Sequence, residues 1–264
     1  MELATPLGIV LAVVAIAVAF ILEGGSPMVA FSNPAAIIII IGGTVGVGMA
    51  SNRMSDIGAG TKATLKMLKP GKKLDSAGAV NELMGYADIA RRDGLLALEE
   101  TVKGIEDDFL KRGLELVIDG TDSSEVADVL DGDIAAMKER HKVAAKFHAD
   151  CGAYAPAIGI VGCVLGLTLA LSHMDDPTAM GHAIAAAFIA TLWGIGIANM
   201  FFIPIGMKMK RMSSLEVQHR QMIVEGILAI QSGVSPRAVG EKLKSHLPPK
   251  ARDSVGEKAE KEAA

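Results

Sequence analysis

Ala155-Pro156-Ala157-Ile158-Gly159-Ile160-Val161-Gly162-Cys163-Val164-Leu165-Gly166-Leu167 carries no charge and places a small or kinking residue at almost every helical turn. On a helix, Pro156, Gly159, Cys163, Gly166 and Ala170 fall at successive three- and four-residue steps, so one narrow face has little side-chain bulk. In hydrocarbon, apolar burial does not drive helices together. Such a face is how a span packs closely against a neighbour or lines a tight passage. The stretch reads as the centre of a membrane assembly that the rest of the chain positions and drives.

Composition agrees with two environments in one polypeptide: 50% of residues are apolar and only 4% aromatic, Gly is abundant, yet 21% are charged. The charges are segregated. No Lys or Arg precedes Arg53 and none lies between Lys146 and Lys208, and the apolar runs occupy those two gaps. The net charge of -4 says little, because orientation follows the placement of basic residues. Cys151 and Cys163 sit too near each other on one expected helix to bridge. The first residues lack the basic region and cleavage site of a secretory signal, so the first apolar run is expected to be retained.

Leu7 to Leu22 forms that first run, just long enough for a bilayer core. After a Gly/Ser/Pro-rich loop from Glu23, Asn33 is an expected helix cap with Pro34 at the first helical position, opening a second span from Ala35 to about Ala50. Arg53, Lys62, Lys66, Lys69, Lys72 and Lys73 follow at once, while the loops on the other side contain no Lys or Arg. By the positive-inside rule the segment after the second span is cytoplasmic, and both termini with it.

From Asp75 to His148 the chain reads as soluble helices. They are expected over Ser76 to Asp93, over a short piece from Leu95 to Leu98, and over Asp107 to Ile118, with Gly94 and Gly120 as stops. Asp122 to Glu125 has capping-box spacing, and no Pro follows until Pro156. A fourth helix can therefore run unbroken into the third span, more than about 50 Å at about 1.5 Å per residue. The third span ends near Ser172, and His173 to Pro177 makes an acidic outer loop. The fourth runs from about Ala183 to Pro204, with Ala183, Ala187, Thr191, Gly194 and Ala198 on a second small face. An amphipathic helix follows from Ser213 to Gln231, Ser235-Pro236 starts another, and the tail from Pro248 is expected to be disordered.

The fold class is thus all-α: a polytopic membrane protein with four transmembrane helices and a helical cytoplasmic domain between spans 2 and 3. The segments are 1–52 (spans 1 and 2), 53–147 (cytoplasmic helices), 148–206 (spans 3 and 4) and 207–264 (cytoplasmic helices and tail).

No Asp, Glu, Lys or Arg lies inside the four spans, and His173 and His182 sit at the outer rim. Moving protons or sodium ordinarily needs a titratable or coordinating group at depth, so a conducting assembly must take its carboxylate from another chain. The polar atoms left inside belong to Thr44, Thr168, Thr191, Cys163 and Trp193. A buried Thr commonly returns its hydroxyl to a carbonyl three or four residues back, and a lone Cys commonly fills space. Pro156 and Pro204, near the cytoplasmic ends of their spans, can be simple kinks or stops.

The order of two spans, about ninety cytoplasmic residues, two spans and a tail resembles the MotA/PomA family of bacterial flagellar stator subunits. The strings that carry the resemblance are Ala87-Asp88-Ile89-Ala90-Arg91-Arg92-Asp93-Gly94-Leu95-Leu96-Ala97-Leu98-Glu99, the Ala155 to Gly162 stretch, Met174-Asp175-Asp176-Pro177, Ala190-Thr191-Leu192-Trp193-Gly194 and Ala229-Ile230-Gln231-Ser232-Gly233. The resemblance implies a bacterial inner-membrane location and a ring of five chains around a dimer of a MotB/PomB-type subunit that supplies the ion-carrying Asp. It implies ion flow that turns the ring, with torque passed to the rotor protein FliG. By motif position the rotor contact falls on Arg91 and Glu99, the torque-linked prolines are Pro156 and Pro204, and the ion-pathway threonine is Thr191. No cofactor, enzyme activity or nucleic acid is implied.

Two departures stand out. Sodium-type members carry Thr where this chain has Cys163, and a thiol is a poor ligand for a hard cation, so protons are favoured over sodium as the transported ion. The family places an Asp where this chain has Ala153, leaving Asp150, nearly one turn earlier, as a substitute. The competing readings are an ExbB/TolQ-like energiser of envelope transport, which usually has one span before its cytoplasmic loop, and a non-conducting scaffold. An intramembrane enzyme is disfavoured because the spans lack acid, base or metal-ligand clusters.

Overall fold

The computed structural model describes residues 4–31, 33–68, 74–253 and 255, and among them every regular element is helical. In order these are α1 (Ala4–Leu22), α2 (Pro34–Ala50), α3 (Met54–Leu68), α4 (Ser76–Asp93), α5 (Leu98–Val102), α6 (Asp108–Ile118), α7 (Ser123–Leu171), α8 (Pro177–Ile197), α9 (Ile203–Gln231), α10 (Pro236–Lys244) and α11 (Pro249–Arg252). Lys69, Lys72 and Lys73, part of the charge-asymmetry reasoning, lie outside the described residues.

Two compact units form, one from 1–71 with 141–211 and the other from 72–140 with 212–264. Residues 54–68 fall in the first unit with α1, α2 and α8, and α10 and α11 fall in the second with α4, α5 and α6. The reason is apolar packing. Leu83 of α4 reaches within 2.6 Å of where a Cβ on Gly226 of α9 would stand, and Met84 does the same at Gly240 of α10.

In the first unit, Asn33 Oδ1 accepts from Ala36 N at 3.1 Å and Pro34 occupies the first position of α2, as expected. The loop before it contains an unanticipated 3-10 helix, Pro27–Phe31. It is tied down by Trp193 Nε1, which donates to Ala30 O at 2.7 Å, and by the Phe31 ring standing edge-on to Trp193 at 5.3 Å. The helix α3 was not foreseen either. It docks where Gly60 lets it approach Ala144 O of α7, and Thr64 Oγ1 meets His148 Nε2 at 2.9 Å.

Among the described residues three stretches are long and apolar enough to cross a membrane: Thr5–Leu22, the apolar part of α7, and the apolar part of Pro177–Gln231. α2, with 17 residues, is shorter. At about 1.5 Å per residue it extends about 25 Å against a hydrocarbon core of about 30 Å.

The fourth apolar stretch departs from expectation at both ends. α8 starts at Pro177, not near Ala183, because Asp176 caps it, its Oδ1 accepting from Thr178 N at 2.9 Å and Ala179 N at 3.1 Å. Nor does the helix stop at Pro204. A π turn over Ala198–Phe202 widens the ladder, so that Ile203 N donates to Ala198 O, and α9 continues to Gln231. A proline ring normally clashes with the carbonyl four residues back, and a π turn placed before it absorbs the mismatch.

In the second unit α4, α5, α6, α10 and the nearby parts of α7 and α9 enclose one core, including Leu83, Leu98, Leu114, Leu130, Ile227 and Leu243, all fully buried. Each such side chain contributes about 1.5–3 kcal/mol relative to exposure. Gly94, Gly120 and Gly233, at φ +87, +77 and +69, end α4, α6 and α9 in the backbone region that other residues rarely adopt. The tail is more ordered than expected as far as it is described: Pro249–Arg252 is a helical turn, Arg252 Nε donates to Leu247 O at 3.0 Å, and Val255 is buried. Residues 254 and 256–264 lie outside the described set.

Candidate functional site

The small faces expected of the third and fourth spans meet. A Cβ on Gly159 of α7 would stand 3.2 Å from Gly194 Cα and 3.3 Å from Ala190 O of α8, and one on Gly166 would stand 2.9 Å from Ala187 Cβ. A Cβ on Gly162 would be 2.8 Å from Ala190 Cβ and 3.5 Å from Ile39 of α2. The contact face of α7 is therefore Ala155, Gly159, Gly162, Gly166 and Ala170. Pro156 and Cys163, assigned to that face from the sequence, lie beside it and are only half-buried. Helical spacing alone allows either set. The partner helix selects the one that brings glycine backbones into contact.

Ala183, Ala187 and Gly194 of α8 are buried, and so is Ala198 at the start of the π turn. Thr191 is half-buried at the edge of the joint, near Gly159, and its Oγ1 donates to Ala187 O at 3.3 Å. Thr168 Oγ1 likewise donates to Val164 O at 2.8 Å. Thr44 does not follow this pattern: its hydroxyl is fully buried and has no hydrogen-bond partner among the described residues. Cys151 and Cys163 are unbridged. Among the described residues no group of three or more His, Cys, Asp or Glu side chains is placed to hold a metal ion.

At the lower end of the α7 apolar stretch, Asp150 is engaged on two sides. Lys146 Nζ donates to it at 2.6 Å and Asn52 Nδ2 at 2.9 Å, and Asn52 also donates to Gly48 O at 2.9 Å. The hydrogen bond to Asp150 holds the Lys146 ammonium above its ordinary pKa. One turn away, Ser51 Oγ donates to Tyr154 OH at 3.3 Å. The buried His148 lies beside this joint, with the rings of Phe147 and Phe202 at 5.6 and 6.5 Å. Sequence reasoning singled out Asp150 but not Asn52, Tyr154 or His148. Their partners are between 84 and 103 residues away, so no local pattern marks them.

In the second unit Arg91 lies in the last turn of α4 and Glu99 in the first turn of α5, and both side chains are exposed. The Gly94 turn and a 3-10 turn at Leu95–Ala97 connect them, and the buried Leu98 and Val102 fix α5 beneath. Their neighbours are paired locally, Arg92 with Asp88 inside α4 and Lys103, just past the end of α5, with Glu100. The Lys103 bond holds the Glu100 carboxyl below the usual carboxylate range. Elsewhere in this unit Arg220 stacks over the Phe109 ring at 4.8 Å, and Ser76 Oγ lies 2.9 Å from Nδ1 of the half-buried His219.

Comparison with known proteins covers nearly the whole chain. Residues 101–222 match the MotA/TolQ/ExbB proton channel family, and residues 6–92 match the motility protein A N-terminal family. Motility protein A of Bacillus subtilis is 38% identical over 98% of this chain and 96% of its own length. Chemotaxis protein PomA of Vibrio alginolyticus is 36% identical over 94% and 96%. Among solved structures, the flagellar MotAB stator complex from Bacillus subtilis contains a chain that superposes with a TM-score of 0.90 at 37% identity, covering 97% of this chain and 100% of that one. A chain of C. jejuni MotAB gives 0.89 at 35% identity, covering 94% and 97%.

Proposed function

Since the chain belongs to the motility protein A family and is a flagellar stator subunit that couples ion flow to rotation, we propose that α1, α2 and the apolar parts of α7 and α8–α9 are four membrane spans. Both termini lie in the cytoplasm of a bacterial inner-membrane protein. Several copies, five by family resemblance, surround a MotB-type dimer, and the transported ion is the proton.

The observation that carries this reading is the glycine joint between α7 and α8 together with the charges around it. Between Asp150 and Asp175, and again between Asp176 and Lys208, no Asp, Glu, Lys or Arg occurs. A wall of this kind shapes a passage but cannot relay a proton, so the carboxylate comes from the partner. Thr191 stands at the edge of the joint, where its hydroxyl can leave Ala187 O to meet a hydrated ion or a partner side chain. Cys163 in place of an oxygen ligand favours protons over sodium. Pro156 and Pro204 lend the two helices their points of bending.

Arg91 and Glu99 are the residues that meet the rotor protein FliG. Both project from a surface whose neighbouring charges, Arg92 with Asp88 and Lys103 with Glu100, are already paired locally. Swimming speed measured while external sodium is varied at fixed pH tests the ion assignment. Speed that stays constant supports protons, and speed that rises with sodium overturns them.

A further inference from the structure

Among the described residues of the second unit, the large apolar side chains left exposed are Leu74, Leu96, Met212 and Leu215. Leu74, Met212 and Leu215 lie beside the points where the chain passes from one unit to the other. Leu96 is remote from every such point along the chain, and it is 73% exposed.

The turn that carries it explains the exposure. In a 3-10 turn, side chains three residues apart fall on one line. Leu95 packs against the core and Leu98 is fully buried, so these two take the inward line and Leu96 faces outward. The turn is fixed at its start by Gly94, at φ +87 and ψ 165, and Ala97 N donates to Gly94 O at 3.2 Å. A Leu held in water on a turn of this kind keeps its burial energy for another surface.

Single exposed apolar residues are ordinary on protein surfaces. Leu96 is set apart by its neighbours in the chain. The exposed Arg91 and Asp93 precede it on α4 and the exposed Glu99 follows it on α5, while Arg92 and Glu100 are paired with Asp88 and Lys103. An apolar centre within a charged rim is the make-up of a protein contact, and opposite charges on its two sides fix the direction in which a partner lies. Exposed ion pairs alone bind weakly, so a contact that bears load needs apolar burial as well.

We propose that Leu96 is the apolar anchor of the rotor contact, seated in an apolar hollow of FliG that carries an acidic group on the Arg91 side and a basic group on the Glu99 side. The inference rests on the reading that Arg91 and Glu99 meet that protein.

The test replaces Leu96, and separately Arg91 and Glu99, by the photo-reactive residue benzoylphenylalanine in the full chain, assembled with its MotB-type partner in swimming cells, and identifies the adducts formed on irradiation. An adduct between position 96 and FliG is the expected result. Adducts with FliG from position 91 or 99 but not from 96 overturn the anchor and leave the rotor reading standing. No FliG adduct from any of the three overturns both. An adduct between position 96 and a second copy of this chain makes that copy the occupant and overturns the proposal. In the same cells Leu96→Gln shortens the dwell time of stator complexes at the motor about tenfold, equivalent to ~1.4 kcal/mol. Leu96→Met, similar in size and polarity, keeps the dwell time. Membrane levels of both variants match the unsubstituted chain, because Leu96 is not part of the core. A dwell time unchanged by Leu96→Gln overturns the proposal.

Discussion

Gly159 of α7 and Gly194 of α8 meet backbone to backbone: a Cβ on Gly194 would stand 2.8 Å from Gly159 Cα and 2.7 Å from Ala155 O. Neither atom is the movable end of a side chain. Any Cβ there forces the two helices apart, along with the small-residue contacts at Gly162 and Gly166 that depend on the same approach.

Gly194→Ala is therefore expected to destabilise the joint by about 1–3 kcal/mol, the range for overpacking a close contact. Gly46→Ala, where a Cβ meets open space, is expected to be neutral. Thermal unfolding of the two variants in one detergent checks the contrast. Equal melting temperatures would show that the backbones can separate without cost.

Reversing the exposed charges at Arg91 or Glu99 leaves the buried Leu98 and Val102 untouched, so the fold and membrane insertion are expected to survive. Swimming in soft agar is expected to fall for Arg91→Glu and for Glu99→Lys separately. Normal motility in both single variants would remove these residues from the rotor contact.

Thr191→Val keeps the volume and deletes a 3.3 Å bond to Ala187 O. A bond of this kind contributes about 0.5–1.5 kcal/mol net, so assembly should persist. Ion flux in the presence of the partner is expected to fall several-fold. Unchanged flux would leave the hydroxyl with its backbone role alone.

Burial lowers the pKa of His219 below its ordinary 6.5, because the imidazolium is poorly solvated among α4, α6 and α9; Asp107, Glu216 and Asp75 oppose the shift and Arg220 adds to it. The unfolded chain therefore takes up a proton that the folded chain refuses. The contribution is whole above about pH 6.5 and is lost as pH falls from there through the depressed folded value. The protection factors of residues 213–231 in the full chain, taken from hydrogen exchange corrected for the intrinsic amide rate at each pH, are expected to fall through that window between pH 7.5 and 5, and His219→Gln is expected to flatten the change. Identical profiles would contradict it.

Much of this architecture could be read from residue order, because the signals are local. Asn33-Pro34 and Ser235-Pro236 mark starts by their own hydrogen bonds, and Gly94, Gly120 and Gly233 mark ends by the φ values they alone tolerate. The uninterrupted run from Ser123 to Leu171 was legible from the absence of breakers before Pro156. What stayed hidden depends on distant partners. Pro204 looks like a stop until the π turn before it accommodates the ring. α3 needs Ala144 and His148 to give it a surface, and the buried face of α7 is settled by which residues of α8 it meets. Thr44 makes the same point in reverse: its own helix offers a carbonyl one turn back, yet the packed neighbourhood leaves its hydroxyl without a bond. Of the candidate residues, Arg91, Glu99 and Thr191 were found by resemblance to known strings. Asp150 was found the same way, but its clasp by Lys146 and Asn52 was not.

The central claim is that this chain builds a passage with no proton carrier of its own. It is tested most directly by proton uptake into liposomes under an imposed potential, with the chain alone and with a MotB-type partner. Uptake is expected only with the partner and is expected to vanish when the partner's membrane Asp is changed to Asn. Proton uptake by the chain alone, at a rate comparable to the complex, would contradict the account.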